Sequence, residues 1–247
     1  MRKTPGGNNG RESEERIEFA QYSHSEKDRA MRPLILKMSM SADGFVGGPG
    51  GEIDWIFRTM DESALSWIRD TLRQAGVHIM GSRTFHDMAA YWPTSSDPLA
   101  QPMNEIPKVV FSRKGPPDLS DTGLRTQAIK DKTRLDSEKG IRPSQTKFAG
   151  AGTWTDARVA SGDIGIEIRR LKEQDGNPIL AHGGASFARS LAGSGLIDEY
   201  RLLIHPVFLG RGLPLFSGLK APVDLKLESS MVFSSGIVAH VYTPVHA

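Results

Sequence analysis

Short apolar runs alternate with segments of helical period along most of this chain, and that alternation restricts the fold more than any other feature. Leu34, Leu36, Met38 and Met40 interleave with Ile35, Lys37, Ser39 and Ser41, the two-residue period of a strand. Asp61 can cap a helix that runs through Ala75, with Leu65, Ile68 and Leu72 on one face and Gly76 as its stop. VHIM follows as a strand, GSRTF opens a short helix, and KVVFS is a further buried strand. Farther on, ARVAS is extended and Asp163 caps a helix carrying Ile164, Ile168 and Leu171. PILAH is then a strand, SFARSLAGSG a helix and EYRLLIH a strand. VDLKLES and GIVAHVY close the chain as an antiparallel pair. An α/β fold follows, with a mainly parallel sheet that carries antiparallel strands at one edge.

Two stretches break the alternation. Residues 1–30 hold six basic and six acidic side chains, with Ile17, Phe19 and Tyr22 as the sizeable hydrophobes. So few apolar groups do not offset the entropy of ordering, and residues 1–31 are expected to be a disordered N-terminal extension. Met31, ahead of Arg32 and Pro33, makes a second plausible start. Residues 114–152 are rich in Pro, Gly and charge around a possible short helix, which suits a surface insertion in a single domain spanning 32–247.

Bulk properties remove several function classes. Lys and Arg number 31 against 29 acidic residues, so the net charge of +2 gives no argument for a nucleic-acid partner. The absence of cysteine excludes disulfides, thiolate metal sites and cysteine nucleophiles, and fits a cytoplasmic protein. No apolar run approaches the roughly 20 residues that span a bilayer, so no membrane association is expected. No group of His and carboxylates has metal-ligand spacing, and no metal is expected.

Chemistry concentrates where strands become helices. ILAHGGASFARSL sets Gly183, Gly184 and Ser186 at a helix N-terminus, where free amides and the helix dipole favour phosphate. A tight turn with glycine chosen for packing is the other reading. IMGSRTF repeats the arrangement with Gly81, Ser82, Arg83 and Thr84. Arg83 offers a planar fork to a phosphate, and Thr84 can cap the helix or donate to a pyrophosphate. The alternative is an ordinary cap beside a surface arginine. VVFSRKG ends a third strand with Ser112 and Arg113. Together these three strand ends suit a nucleotide laid across the carboxyl edge of a sheet.

MSMSADGFVGGPGGEIDW, HIMGSRTF, KVVFSR and ILAHGGASFARSLAGSGLIDEYRLLIHPVFLGRGLPLF resemble the dihydrofolate-reductase-like superfamily. The closest branch is the proteins related to the C-terminal reductase domain of bacterial riboflavin-biosynthesis deaminase/reductases. The resemblance implies a three-layer fold with a central mixed sheet flanked by helices, an NADPH site and a homodimer. By motif, Ser39 falls near the nicotinamide, Val46 and Gly47 in the loop that covers it, and Trp55 at a cofactor-contacting position. Gly81, Ser82, Arg83 and Thr84 match a phosphate-binding turn, while Ser112 and Arg113 match the site of the adenosine 2′-phosphate. Gly183, Gly184, Ala185, Ser186 and Phe187 match the pyrophosphate and nicotinamide loop. The chain departs from the pattern in three places. Ala64 or Leu65 stands where folate reductases have a carboxylate, which argues against folate reduction. His182 stands where riboflavin reductases have a substrate-binding glutamate, and RTFHDMAAYW replaces a Thr and Asp-Asp-Pro run.

Hydride transfer needs positioning beside the nicotinamide and a source of a proton. Asp43, Glu52 and Asp54 in the first loop are acidic candidates, and His182 could donate near neutral pH. Asp43 precedes a glycine, so a turn-stabilising role competes for it. The expected function is an NADPH-dependent reductase of a small heterocyclic or conjugated substrate. Its rivals are a nucleotide-binding sensor without turnover and a pyrimidine reductase acting on a phosphoribosylated substrate.

Overall fold

The computed structural model describes residues 31–115, 127–144, 150 and 152–245. Apart from Met31, the expected N-terminal extension lies outside the described residues, as do parts of the 114–152 insertion. In chain order the elements are β1 (Leu34–Ser41), α1 (Asp54–Thr59), α2 (Glu62–Arg73), β2 (Val77–Gly81), α3 (Ser82–Tyr91) and α4 (Ala100–Glu105). They continue with β3 (Lys108–Phe111), α5 (Gln127–Glu138), α6 (Gly152–Thr155), β4 (Arg158–Ala160), α7 (Ile164–Lys172) and β5 (Ile179–Ala181). The last are α8 (Ala185–Ala192), β6 (Glu199–His205), β7 (Leu225–Val232) and β8 (Val238–Pro244).

The strands form one sheet in the order β4-β3-β2-β5-β1-β6-β8-β7. Strands β1 to β6 run parallel, whereas β8 pairs antiparallel with both β6 and β7. The mixed sheet with an antiparallel C-terminal pair is therefore present as expected. Helices cover both faces. Leu34, Leu36 and Met38 of β1 pack with Ile168 and Leu171 of α7 and Phe187, Ala188 and Leu191 of α8. Ile35 turns the other way, to Ala64, Ile68 and Leu72 of α2, Phe85 of α3, Met103 of α4 and Trp154 of α6. Each fully buried side chain of this kind contributes about 1.5–3 kcal/mol.

The two caps read from sequence hold. The Asp61 carboxylate accepts from Ala64 N at 2.8 Å, and that of Asp163 accepts from Ile166 N at 3.0 Å. The insertion supplies more than a surface excursion, because its helix α5 is tied to α1 and α3. Asp131 accepts from Ile53 N at the start of α1. Lys132 bridges Asp97 and Asp136, and the Tyr91 hydroxyl donates to Asp136. Burial, with the Asp136 bond second, pushes the Tyr91 phenol up to about 12.

Candidate active site

Parallel strands deliver their carboxyl ends to one edge. Along it lie Ser112 and Arg113 after β3, Gly81 to Thr84 after β2, and His182 to Gly184 after β5. The end of β1 and His205 of β6 complete the row. Adjacent strands β2 and β5 lead into α3 and α8, which cover opposite faces of the sheet. Their connections diverge there, and such a switch point is where open α/β sheets take ligands.

The glycines at this edge answer first to protein atoms. Gly184 N donates to Thr84 Oγ1 at 3.0 Å, and a Cβ on Gly184 would stand 2.7 Å from that oxygen. A Cβ on Gly183 would stand 3.1 Å from the Met38 thioether, and one on Gly81 3.1 Å from Phe187 Cβ. Close protein packing therefore accounts for the glycine pair. Thr84 does not cap its own helix: no side chain caps α3 or α8, whose N-cap residues are Gly81 and Gly184. Their first-turn amides lack helical partners, a ready anion cradle with Ser82, Ala185 and Ser186 beside it. Arg83 and Arg113 are exposed, and neither guanidinium has a hydrogen-bond or ion-pair partner among the described residues. Ser112 Oγ accepts from Lys114 N at 3.3 Å, while Phe187 is buried with its ring 5.1 Å from that of Phe111.

The first loop is a fixed strap. Val46 N donates to Leu213 O, and Leu213 N returns a bond to Gly47 O. Asp43 accepts from Ser41 Oγ at 2.6 Å, Gly210 N at 2.7 Å and Leu209 N at 3.1 Å. Hydrogen bonding, from Ser41 above all, holds its carboxyl below the usual range. The turn-stabilising role thus describes Asp43, in place of proton donation at neutral pH. Val46 packs into the core, and Trp55 is 2% exposed, its Nε1 donating to Glu52 O. Asp54, on α1, lies 3.6 Å from Arg58.

His182 is also unlike its expectation. Burial, then the neighbouring bases His78, Lys37 and Lys108, lower its pKa well below the ordinary value, so near pH 7 it is a neutral imidazole and not an imidazolium acid. Its ring stacks edge-on against His78 with centroids 4.5 Å apart. Two groups went unremarked in the sequence as functional. Lys37 faces the same layer from β1, where burial lowers its ammonium to about 8. His205 is fully buried, bonds Thr59 Oγ1 at 2.7 Å through Nδ1, and meets the Trp55 ring edge-on at 5.2 Å. Burial and Lys37 lower His205 to about 4. A cavity of about 420 Å³ lies at the opposite, amino edge of the sheet, lined by Arg32, Val77, Lys108 and Arg158.

Among the described residues no group of three or more His, Asp or Glu could hold a metal, and no helix is long and apolar enough to cross a membrane. Comparison with known proteins agrees with the fold. The family described as RibD C-terminal domain matches residues 32–239. The uncharacterized protein YyaP of Bacillus subtilis is 32% identical over 211 residues, covering 85% of this chain and 94% of YyaP. A Shewanella sp. PV-4 protein named for riboflavin biosynthesis superposes with a TM-score of 0.62 at 17% identity, covering 87% of this chain and 99% of that one. A Thermotoga maritima diaminohydroxyphosphoribosylaminopyrimidine deaminase/5-amino-6-(5-phosphoribosylamino)uracil reductase superposes at 0.56 with 19% identity, covering 92% of this chain and 60% of that one.

Proposed function

The chain belongs to the RibD C-terminal domain family, an oxidoreductase family, and from that premise we propose that it is an NADPH-dependent reductase of a small heterocyclic or conjugated substrate. The observation that carries the proposal is the pair of unpartnered guanidinium groups, Arg83 and Arg113, beside two uncapped helix N-termini. That donor set fits a dinucleotide. The first-turn amides of α8, with Ser82 and Ser186, would hold the pyrophosphate, and Arg83 and Arg113 the 2′-phosphate that separates NADPH from NADH. Thr84 Oγ1, while accepting from Gly184, keeps its own proton for a phosphate. Ser39, on the face of β1 that also carries Lys37, would border the nicotinamide. When bound, the cofactor supplies the hydride. With Asp43 committed to the strap and His182 neutral, the accompanying proton comes from solvent.

The exposed edge strand β7 supports a homodimer. Leu227, Met231 and Val232 are 49%, 50% and 73% exposed, and Phe208 is 79% exposed, an apolar group that a second copy would cover. A cytoplasmic location is part of the same reading, and the absence of cysteine supports it. A nucleotide sensor without turnover is the second reading, and the commitment of Asp43 favours it. The two separate in one assay: NADPH oxidation measured against a panel of quinones, pyrimidines and pterins. Turnover with any of them supports the reductase, whereas tight NADPH binding without oxidation across the panel supports the sensor.

A further inference from the structure

The layer between the carboxyl ends of β1, β5 and β6 and helix α1 gathers several bases. Leu36 pairs with Ala181 in the parallel register of β1 and β5, so Lys37 of β1 and His182, the first residue past β5, fall beside each other, close enough for Lys37 to act on His182. Ser41 pairs with His205, and Lys37, Ser39 and Ser41 share one side of β1, so His205 faces the same way. Lys37 is half-buried, and its ammonium has no hydrogen-bond or ion-pair partner among the described residues. His182 and His205 are 6% and 0% exposed, and the Nε2 atom of each is buried without a partner.

Among the described residues no carboxylate is hydrogen-bonded or ion-paired to Lys37, His182 or His205. Arg201 of β6, opposite Lys37, already holds Glu199. From β2 comes His78, another base, and from α1 the Trp55 ring and the Thr59 hydroxyl. Withdrawing cationic and polar groups from water in this way is unfavourable unless a counter-charge enters.

We propose that the protein binds its substrate at this cluster through an oxyanion, a carboxylate or a ring enolate, held by the Lys37 ammonium and the His182 imidazole. The histidine at 182 leaves that ammonium free, so the charge at this position decides which substrates enter. The inference rests on the reductase reading for identifying the cluster as the substrate side, but oxyanion binding itself needs no turnover.

Calorimetry on the full chain, with and without NADPH, tests it using three matched pairs: benzoate and benzamide, cinnamate and cinnamamide, orotate and uracil. The acids should bind at least tenfold tighter than their neutral partners. Lys37→Gln should abolish that preference, and His182→Glu, which gives Lys37 an internal partner, should abolish it too while NADPH affinity is retained. Acids that bind no tighter than their partners, or that do not bind, overturn the proposal. A preference that survives His182→Glu in a protein that still binds NADPH also overturns it. Acid preference without NADPH binding refutes the reductase reading alone, and NADPH binding without acid preference refutes this inference alone.

Discussion

Gly184 and Thr84 form an interlock whose energy can be measured. In Gly184→Ala the new methyl would lie 2.7 Å from Thr84 Oγ1, well inside the contact distance of about 3.5 Å. Relieving that overlap by moving α8 or the threonine costs about 1–3 kcal/mol. If the bond from Gly184 N is lost as well, about 1 kcal/mol is added. Thr84→Ala alone removes the bond but leaves an exposed amide that water can reach, so its cost stays near 1 kcal/mol. In the Thr84→Ala background the obstructing oxygen is gone, and Gly184→Ala should then cost about 1–2 kcal/mol less than it does alone. The expected coupling is therefore about 1–2 kcal/mol, with the double variant more stable than the sum of the singles. Urea denaturation of the four proteins measures it. The melting temperature of Gly184→Ala should fall by roughly 2–12 °C, from a cost of about 1–3 kcal/mol at about 2–4 °C per kcal/mol for a domain of this size. Additivity within about 0.5 kcal/mol would refute the interlock. So would a Gly184→Ala protein of unchanged stability that no longer binds NADPH, because the glycine would then serve the ligand and not the threonine.

Acid should destabilise the fold early. Burial holds His78 and His205 down at about 3 and about 4, so the unfolded chain binds their protons first. The stability they allow is complete above the unfolded value of about 6.5 and is lost as pH falls, at up to about 1.4 kcal/mol per pH unit for each group. A melting temperature that stays level from pH 7 to 5 contradicts this. Lys132, 14% exposed at its side chain, holds Asp97 and Asp136 together, so Lys132→Met should cost about 2–3 kcal/mol in urea denaturation. A loss below about 0.5 kcal/mol would show that α5 is not anchored there. The preference for acids over their neutral partners should fade as pH rises through about 8, where Lys37 loses its proton. His182 and His205 are neutral throughout that window, so a preference that persists at high pH would assign the anion to another group.

The order of strands and long helices was legible because it is written in local periodicity, and the Asp61 and Asp163 caps because a cap needs three residues of sequence. Helices α1, α4 and α6, with six, six and four residues, were not foreseen, since such short segments carry too little period and are held by packing. The glycine pair was visible but its reason was not: Thr84 lies 100 positions from Gly184, and sequence shows no such contact. Lys37 was hidden by the alternation that revealed its strand. A period of two shows that Lys37 and Leu36 face opposite ways, but not that helices cover both faces of a parallel sheet. The bonds that tie Asp43 to the strap and the burial of His182 were not legible for a related reason, because a side chain's availability depends on the donors and packing that the fold brings to it.

NADPH and NADH titrated in parallel into the wild-type protein and Arg83→Ala, followed by cofactor fluorescence, test the central claim most directly. NADPH should bind the wild type at least about tenfold more tightly than NADH, a difference of ~1.4 kcal/mol, and Arg83→Ala should reduce that gap. Equal affinities for the two cofactors, or no binding of either, would contradict the account.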